Sequence, residues 1–141
     1  MITQCKHRDL PGRVRTLVVD DSELALKSIS TMLKICGRLE IVGTAADGLE
    51  AVEKTRELSP DLVIMDLQMP RMNGFESASQ IRRECPLTRI VHVTTHDDPQ
   101  VEEASRASGA DHFLSKSMIA RSFCKVFCEL FGTCPATKAV C

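Results

Sequence analysis

Five residues of the chain make up a set of reagents for one kind of chemistry: Asp20, Asp21, Asp66, Thr94 and Lys116. Each stands at or just after the end of a short apolar run, and the runs are far apart in sequence. Three carboxylates gathered in one place repel and raise one another's pKa values unless a cation joins them. Mg2+ suits such a group, being a hard octahedral ion that binds a few carboxylates, keeps waters and takes phosphate oxygens. The central carboxylate, Asp66, is then a candidate nucleophile toward phosphorus, forming an aspartyl-phosphate. Lys116 would neutralise phosphoryl charge and the Thr94 hydroxyl would donate to a phosphoryl oxygen. Backbone N–H groups of Leu67–Met69 and Thr95 would complete the cradle. Taken singly, the acidic pair reads as a helix cap, Asp66 as a turn residue and Lys116 as surface; their joint placement singles them out.

The elements that must hold them are legible in order. Thr16–Val19 is a β-rich run ending in Asp20-Asp21. The helix after it is capped by Ser22 or Asp21, repeats Leu24, Ile29, Met32, Leu33 and Cys36 at helical spacing, and stops at Gly37. Leu39–Gly43 is a second strand, and Gly48–Leu58 a second amphipathic helix with Leu49, Val52 and Leu58 apolar. Leu62–Met65 has no polar alternation, so it is predicted to be buried on both faces, as in a parallel sheet, and to deliver Asp66 to its C-terminal end. Pro70 and Asn73-Gly74 punctuate the following turn. Phe75–Glu84 is a third helix, Arg89–Val93 a fourth strand, and Pro99–Ala107 a fourth helix with proline in its first turn. His112–Ser115 is a short fifth strand, and Met118–Phe131 a fifth helix with Ile119, Phe123, Val126, Phe127 and Leu130 facing inward.

Strict β-α alternation, five times, predicts a flavodoxin-like, doubly wound five-stranded parallel sheet of order 2-1-3-4-5 with helices on both faces. In such sheets ligands bind outside the carboxyl ends of the strands, near the point where strand order reverses. The five reagents end strands one, three, four and five, a contiguous block. Strand two ends in inert Thr44-Ala45-Ala46. With adjacent strands ~4.8 Å apart, Lys116 starts about 10 Å from Asp66 and can extend back to it.

Composition bounds the alternatives. The 141 residues suffice for one domain with a full core, expected as an N-terminal arm over 1–12, the folded domain over 13–131 and a C-terminal tail over 132–141. Lys plus Arg 18 against Asp plus Glu 19 is no footprint for nucleic acid, and five Phe without Trp or Tyr make a poor base-stacking platform. No membrane-spanning run or signal-peptide core occurs, so a cytoplasmic protein without membrane contact is expected. The seven cysteines form no C-x-x-C pair. Cys124 and Cys128, four apart on a helix, have Cβ atoms roughly 5–6 Å apart, beyond the ~3.8 Å of a disulfide. Cys36, Cys85 and one of the helix pair are expected to be buried as small hydrophobes, and Cys134 and Cys141 to be exposed.

Leu17–Ser22 (LVVDDS), Asp61–Gly74 (DLVIMDLQMPRMNG), Val93–Asp98 (VTTHDD) and Gly109–Lys116 (GADHFLSK) resemble the receiver domain of two-component response regulators, from about Val14 to Phe131 and with that family's spacing. The resemblance implies that Asp66 is the phosphoacceptor and that Asp20, Asp21, Asp66 and the Gln68 backbone carbonyl bind Mg2+. It implies Thr94 as the hydroxyl switch, Phe113 as the aromatic rotamer switch and Lys116 as the lysine of the site. Gln68 and His96 fall where the family tunes hydrolysis. A sensor histidine kinase would donate the phosphoryl group, and the chain would catalyse only its own phosphotransfer and dephosphorylation. Output would run through helix four, strand five and helix five, a face that could also form a homodimer, with no direct nucleic-acid binding by this chain.

The departures from the family carry expectations too. Lys116-Ser117 stands where the family often has Lys-Pro; receivers joined to LuxR-type helix-turn-helix domains commonly lack that proline, and Pro86–Asp98 is also similar to theirs. Without proline a cis bond costs about 3–4 kcal/mol rather than roughly 0.5–1, so a trans bond is expected, with Ser117 capping helix five. Only a short tail follows that helix, so the sequence is expected to be a single-domain regulator or a fragment cut at a linker. His92 lies where aliphatic residues are usual; it is either a buried, hydrogen-bonded neutral imidazole or a pH-sensitive influence on the switch. A haloacid-dehalogenase-type hydrolase needs a second Asp where Gln68 stands, and non-phosphorylatable receiver-like modules usually lack one of the acidic pair, Asp66 or Lys116.

Overall fold

A computed structural model describes residues 13–34, 37, 39–96 and 98–132. The expected arm, Cys36 and the tail cysteines lie outside the described residues. The strands are β1 (Val14–Val19), β2 (Leu39–Ala45), β3 (Leu62–Asp66), β4 (Arg89–Thr94) and β5 (His112–Ser115). The helices are α1 (Glu23–Lys34), α2 (Gly48–Leu58), α3 (Gly74–Glu84), α4 (Pro99–Ser108) and α5 (Ile119–Phe131). All neighbouring strands pair in parallel, in the order β2-β1-β3-β4-β5. This is the flavodoxin-like order that alternation predicts.

The period of two in the strands sorts the core into two layers. Val14, Val18, Leu62, Ile64, Val91 and Val93 pack on one face with Ile29 and Leu33 of α1 and with Phe123, Val126 and Phe127 of α5. Leu17, Val19, Val63, Met65 and Ile90 face the other way, against Ala51 and Val52 of α2 and Ala78 and Ile81 of α3. Every residue of β3 is buried, which is why its sequence shows no alternation. Burying a side chain such as Phe127 contributes about 1.5–3 kcal/mol.

Helix starts follow the capping chemistry of the sequence. Ser22 Oγ, rather than Asp21, accepts from Ala25 N–H, which leaves the Asp21 carboxylate exposed at the sheet's mouth. Asn73 and Glu76 form a reciprocal capping box on α3, and Asp98 caps α4 ahead of Pro99. Gly109, at φ 112°, ends α4 in a left-handed conformation that suits glycine.

Three expectations are corrected. Leu24, on the apolar repeat of α1, is 75% exposed, because Ile29 and Leu33 already fill the inward stripe. Ser117 does not cap α5: Lys116–Met118 form a 3₁₀ turn first, Ser115 Oγ accepts from Ser117 N–H, and Met118 at the helix N-terminus makes no side-chain cap. The cap therefore falls two residues early, on the turn instead of the helix. Cys85 is half-buried rather than buried, as are Cys124 and Cys128. Cys85 and Cys124 lie at the margins of the two core layers. Cys124 and Phe131 also pack against the core. No cis peptide occurs among the described residues, so Lys116–Ser117 is trans, as expected.

Candidate functional site

Register places the reagents. Val19 pairs with Met65, so Asp20 and Asp66 leave neighbouring strands side by side. Asp66 pairs with Val93, one residue before Thr94, and Thr94 pairs with Ser115, one residue before Lys116. Sequence positions nearly a hundred residues apart thus converge because each ends its strand at the same height.

Asp20, Asp21 and Asp66 each offer a carboxylate oxygen within 4.8 Å of the other two, and among the described residues they are the one acidic, His or Cys cluster that could hold a metal ion. Asp20 and Asp66 are buried and Asp21 is exposed, so the group is open to solvent on one side. Asp20 Oδ1 also accepts from Ser22 N–H at 2.9 Å. Lys116 reaches over from β5: its Nζ lies 2.7 Å from Asp20 Oδ2 and 3.6 Å from Asp66 Oδ1. The lysine thus bridges the two buried carboxylates and is closer to Asp20 than to the Asp66 that the spacing singled out. The three oxygens are hard donors, in the small number that Mg2+ accepts alongside water and phosphate, so the donor set fits that ion.

Electrostatics follow from this crowding. Burial raises the Asp66 pKa, and the Asp20 charge raises it further, while Lys116 and the Leu67 N–H pull it back down. Burial opposes the charge on Lys116, but its hydrogen bond to Asp20 and the charges of Asp66 and Asp20 prevail and raise its pKa. The lysine is therefore a fixed cation beside a carboxylate that is reluctant to ionise.

The remaining sequence candidates sit around this centre. Thr94 is buried, and its hydroxyl oxygen accepts from His96 N–H at 3.0 Å. Gln68 and His96 are exposed, each two residues beyond a strand-end reagent. Phe113 is half-buried and pairs with His92 across β4 and β5. His92 is fully buried, with Nδ1 2.6 Å from Ser105 Oγ and Nε2 2.9 Å from the Gly74 carbonyl. Burial pushes its pKa down to about 4, against the effect of the Gly74 bond. It is the neutral imidazole of the two alternatives.

Several residues that position the site escaped the sequence reading. Gly74 N–H donates to Leu67 O at 2.9 Å, and a Cβ on Gly74 would fall on the Asp66 carbonyl oxygen. Glycine is required there by close approach, not by φ. Gly48 likewise sits against the Met72 carbonyl and donates to it at 2.9 Å. Arg71, at φ 66°, pairs with the Asp47 carboxylate at 2.9 Å. Together these clamp the turn after Asp66 onto the start of α2. Asn73-Gly74 signalled a turn, but the need for a bare Cα over Asp66 is a tertiary fact that spacing does not carry.

The chain belongs to the response regulator receiver domain family, which matches residues 16–127. Response regulator protein VraR of Staphylococcus aureus is 37% identical over 109 residues, 77% of this chain and 52% of that protein. A protein-glutamate methylesterase/protein-glutamine glutaminase of Geobacillus kaustophilus is 39% identical over 122 residues, 84% of this chain and 35% of that protein. The chain thus spans about half, or less, of the length of these relatives. Among solved structures, the signal receiver domain of NarL from Mycobacterium tuberculosis superposes with a TM-score of 0.78 at 29% identity, covering 91% of this chain and 100% of that one. The response regulator domain of CheB from Thermotoga maritima gives 0.78 at 30% identity, covering 86% and 98%. No helix among the described residues is long and apolar enough to cross a membrane.

Proposed function

We propose that the chain is a phosphoacceptor: a sensor histidine kinase transfers a phosphoryl group to Asp66, and the acyl phosphate is later lost to water. The observation that carries this reading is the meeting of Asp20, Asp21, Asp66 and Lys116 from three strands at one open mouth. Mg2+ held by the three carboxylates and the Gln68 carbonyl would neutralise charge on the phosphoryl oxygens. An Asp66 carboxylate oxygen attacks phosphorus; the new O–P bond forms as the N–P bond of the donor's phosphohistidine breaks and the imidazole leaves. Lys116 holds the opposing charge, and the Thr94 hydroxyl donates to a phosphoryl oxygen. In hydrolysis, water attacks the same phosphorus, the Asp66 O–P bond breaks to release inorganic phosphate and restore the carboxylate, and Gln68 and His96 flank the water's path. Chemistry by this chain ends there, in the cytoplasm, and any further activity belongs to a partner or to an output domain.

The donor's approach has a matching surface. A groove of about 310 Å³ between α1 and the start of α5 is lined by Ala25, Ile29, Met32 and Ile119, and Lys116 forms its wall. A kinase helix seated on these apolar residues, with exposed Leu24 at the edge, would bring its histidine beside Asp66. Output is assigned to the α4-β5-α5 face, whose strand carries Phe113 and where His112 Nε2 meets Glu129 Oε1 at 2.5 Å; a homodimer through that face is part of this reading. The test uses acetyl phosphate as donor and intact mass spectrometry. Wild type gains one phosphoryl group with Mg2+ and none with excess EDTA, and Asp66→Asn gains none. Equal modification of Asp66→Asn contradicts the assignment.

A further inference from the structure

His92 occupies the one strand position where a fully buried ring uses both nitrogens to join two helices. The Gly74 carbonyl can only accept, so Nε2 carries the proton and Nδ1 accepts from the Ser105 hydroxyl. Gly74 is the first residue of α3 and lies on the Asp66 backbone. Ser105 is the buried residue of α4. On the sheet, Phe113 is the cross-strand partner of His92, and Thr94 follows two residues later on the same face. The Phe75 ring closes the remaining side edge-on, with centroids 5.9 Å apart. One imidazole therefore ties the turn after the nucleophile to α4 and adjoins both residues assigned to switching.

We propose that His92 is a positioning residue that sets how readily α4 responds to a phosphoryl group on Asp66, an inference that rests on the aspartyl-phosphate reading above. On this proposal the bond to Ser105 is made only while Asp66 carries no phosphoryl group. An equilibrium between two placements of α4 is biased by any contact made in only one of them, and by linkage that bias reappears in the affinity of the site for a phosphoryl mimic. Losing the bond removes a stabiliser of the resting placement and so favours the phosphoryl-bound one. A simple filler of the core would have no such effect on affinity.

Titration with beryllofluoride in the presence of Mg2+, followed by amide NMR, tests the proposal on wild type, His92→Leu, Ser105→Ala and the double variant. Ser105→Ala removes only the hydroxyl and guards against a failure of His92→Leu to fold. Each single variant is expected to bind beryllofluoride about threefold to tenfold more tightly, the effect of one neutral hydrogen bond. The double variant should match His92→Leu and fall short of the product of the singles, because the His92–Ser105 bond is lost in both while the Gly74 bond is lost only with His92. Wild-type binding with unchanged or weakened affinity in Ser105→Ala and His92→Leu, whatever their melting temperatures, overturns this proposal alone. So does a double variant whose effect is the product of the two singles. A wild type that binds no beryllofluoride overturns the aspartyl-phosphate reading and this proposal with it.

Discussion

At the scale of the residue, two buried groups in this protein are held away from their ordinary ionisation for opposite ends. Asp66 is made reluctant to ionise by burial and by Asp20, and Lys116 offsets this, so the carboxylate proposed as the nucleophile is poorly solvated yet still paired. His92 is kept neutral by burial alone. Its pKa falls from 6.5 in the unfolded chain to about 4 in the fold, so the unfolded chain takes up the proton first as pH falls. The stability that neutral His92 contributes is thus fully present above pH 6.5 and is lost between 6.5 and about 4, with about 2 kcal/mol gone at pH 5. Urea unfolding at pH 7 and pH 5 checks this: the wild type should weaken by about that much more than His92→Leu. Equal losses in the two proteins would show that the imidazole does not stay neutral in the fold.

At the scale of the element, the start of α3 governs the site more than its length suggests. Gly74→Ala places a methyl group against the Asp66 carbonyl, and an overpacked core position of this kind costs about 1–3 kcal/mol. The variant should show a lowered urea midpoint and a slower rate of modification by acetyl phosphate, because the strain acts on the peptide of the proposed phosphoacceptor. A midpoint and rate like those of wild type would mean the turn relaxes freely. The elements themselves were largely legible in the sequence, since β3 without alternation, Asn73 before a helix and Pro99 after Asp98 each leave local marks. Strand order followed from alternation, and with it came the grouping of Asp20, Asp66, Thr94 and Lys116. What local pattern could not supply was contact: Lys116 choosing Asp20, Ser115 capping a 3₁₀ turn ahead of α5, Leu24 turned outward, and Ser105 receiving a buried histidine. Ser105 lies in a helix whose polar residues mostly face water, so nothing nearby in sequence marks it as an inward partner.

At the scale of the whole molecule, the sheet brings Asp20, Asp21, Asp66 and Lys116 together at the carboxyl ends of its strands and packs two apolar layers along its faces. On the proposed reading the chemistry is confined to the strand ends, and its consequence travels through β4, β5 and the helices beside them. Beryllofluoride should move amide resonances chiefly within residues 94–131 beyond the site itself; changes confined to α1 and α2 would contradict an output face at α4-β5-α5. The central claim is narrower, that one carboxylate of three carries the phosphoryl group. An acyl phosphate is reduced by borohydride to an alcohol, which converts a modified aspartate to homoserine and marks its position for peptide mass spectrometry. After reaction with acetyl phosphate and Mg2+, homoserine is expected at position 66 alone. Homoserine at position 20 or 21, or at none of the three, would contradict the assignment of Asp66 as the phosphoacceptor.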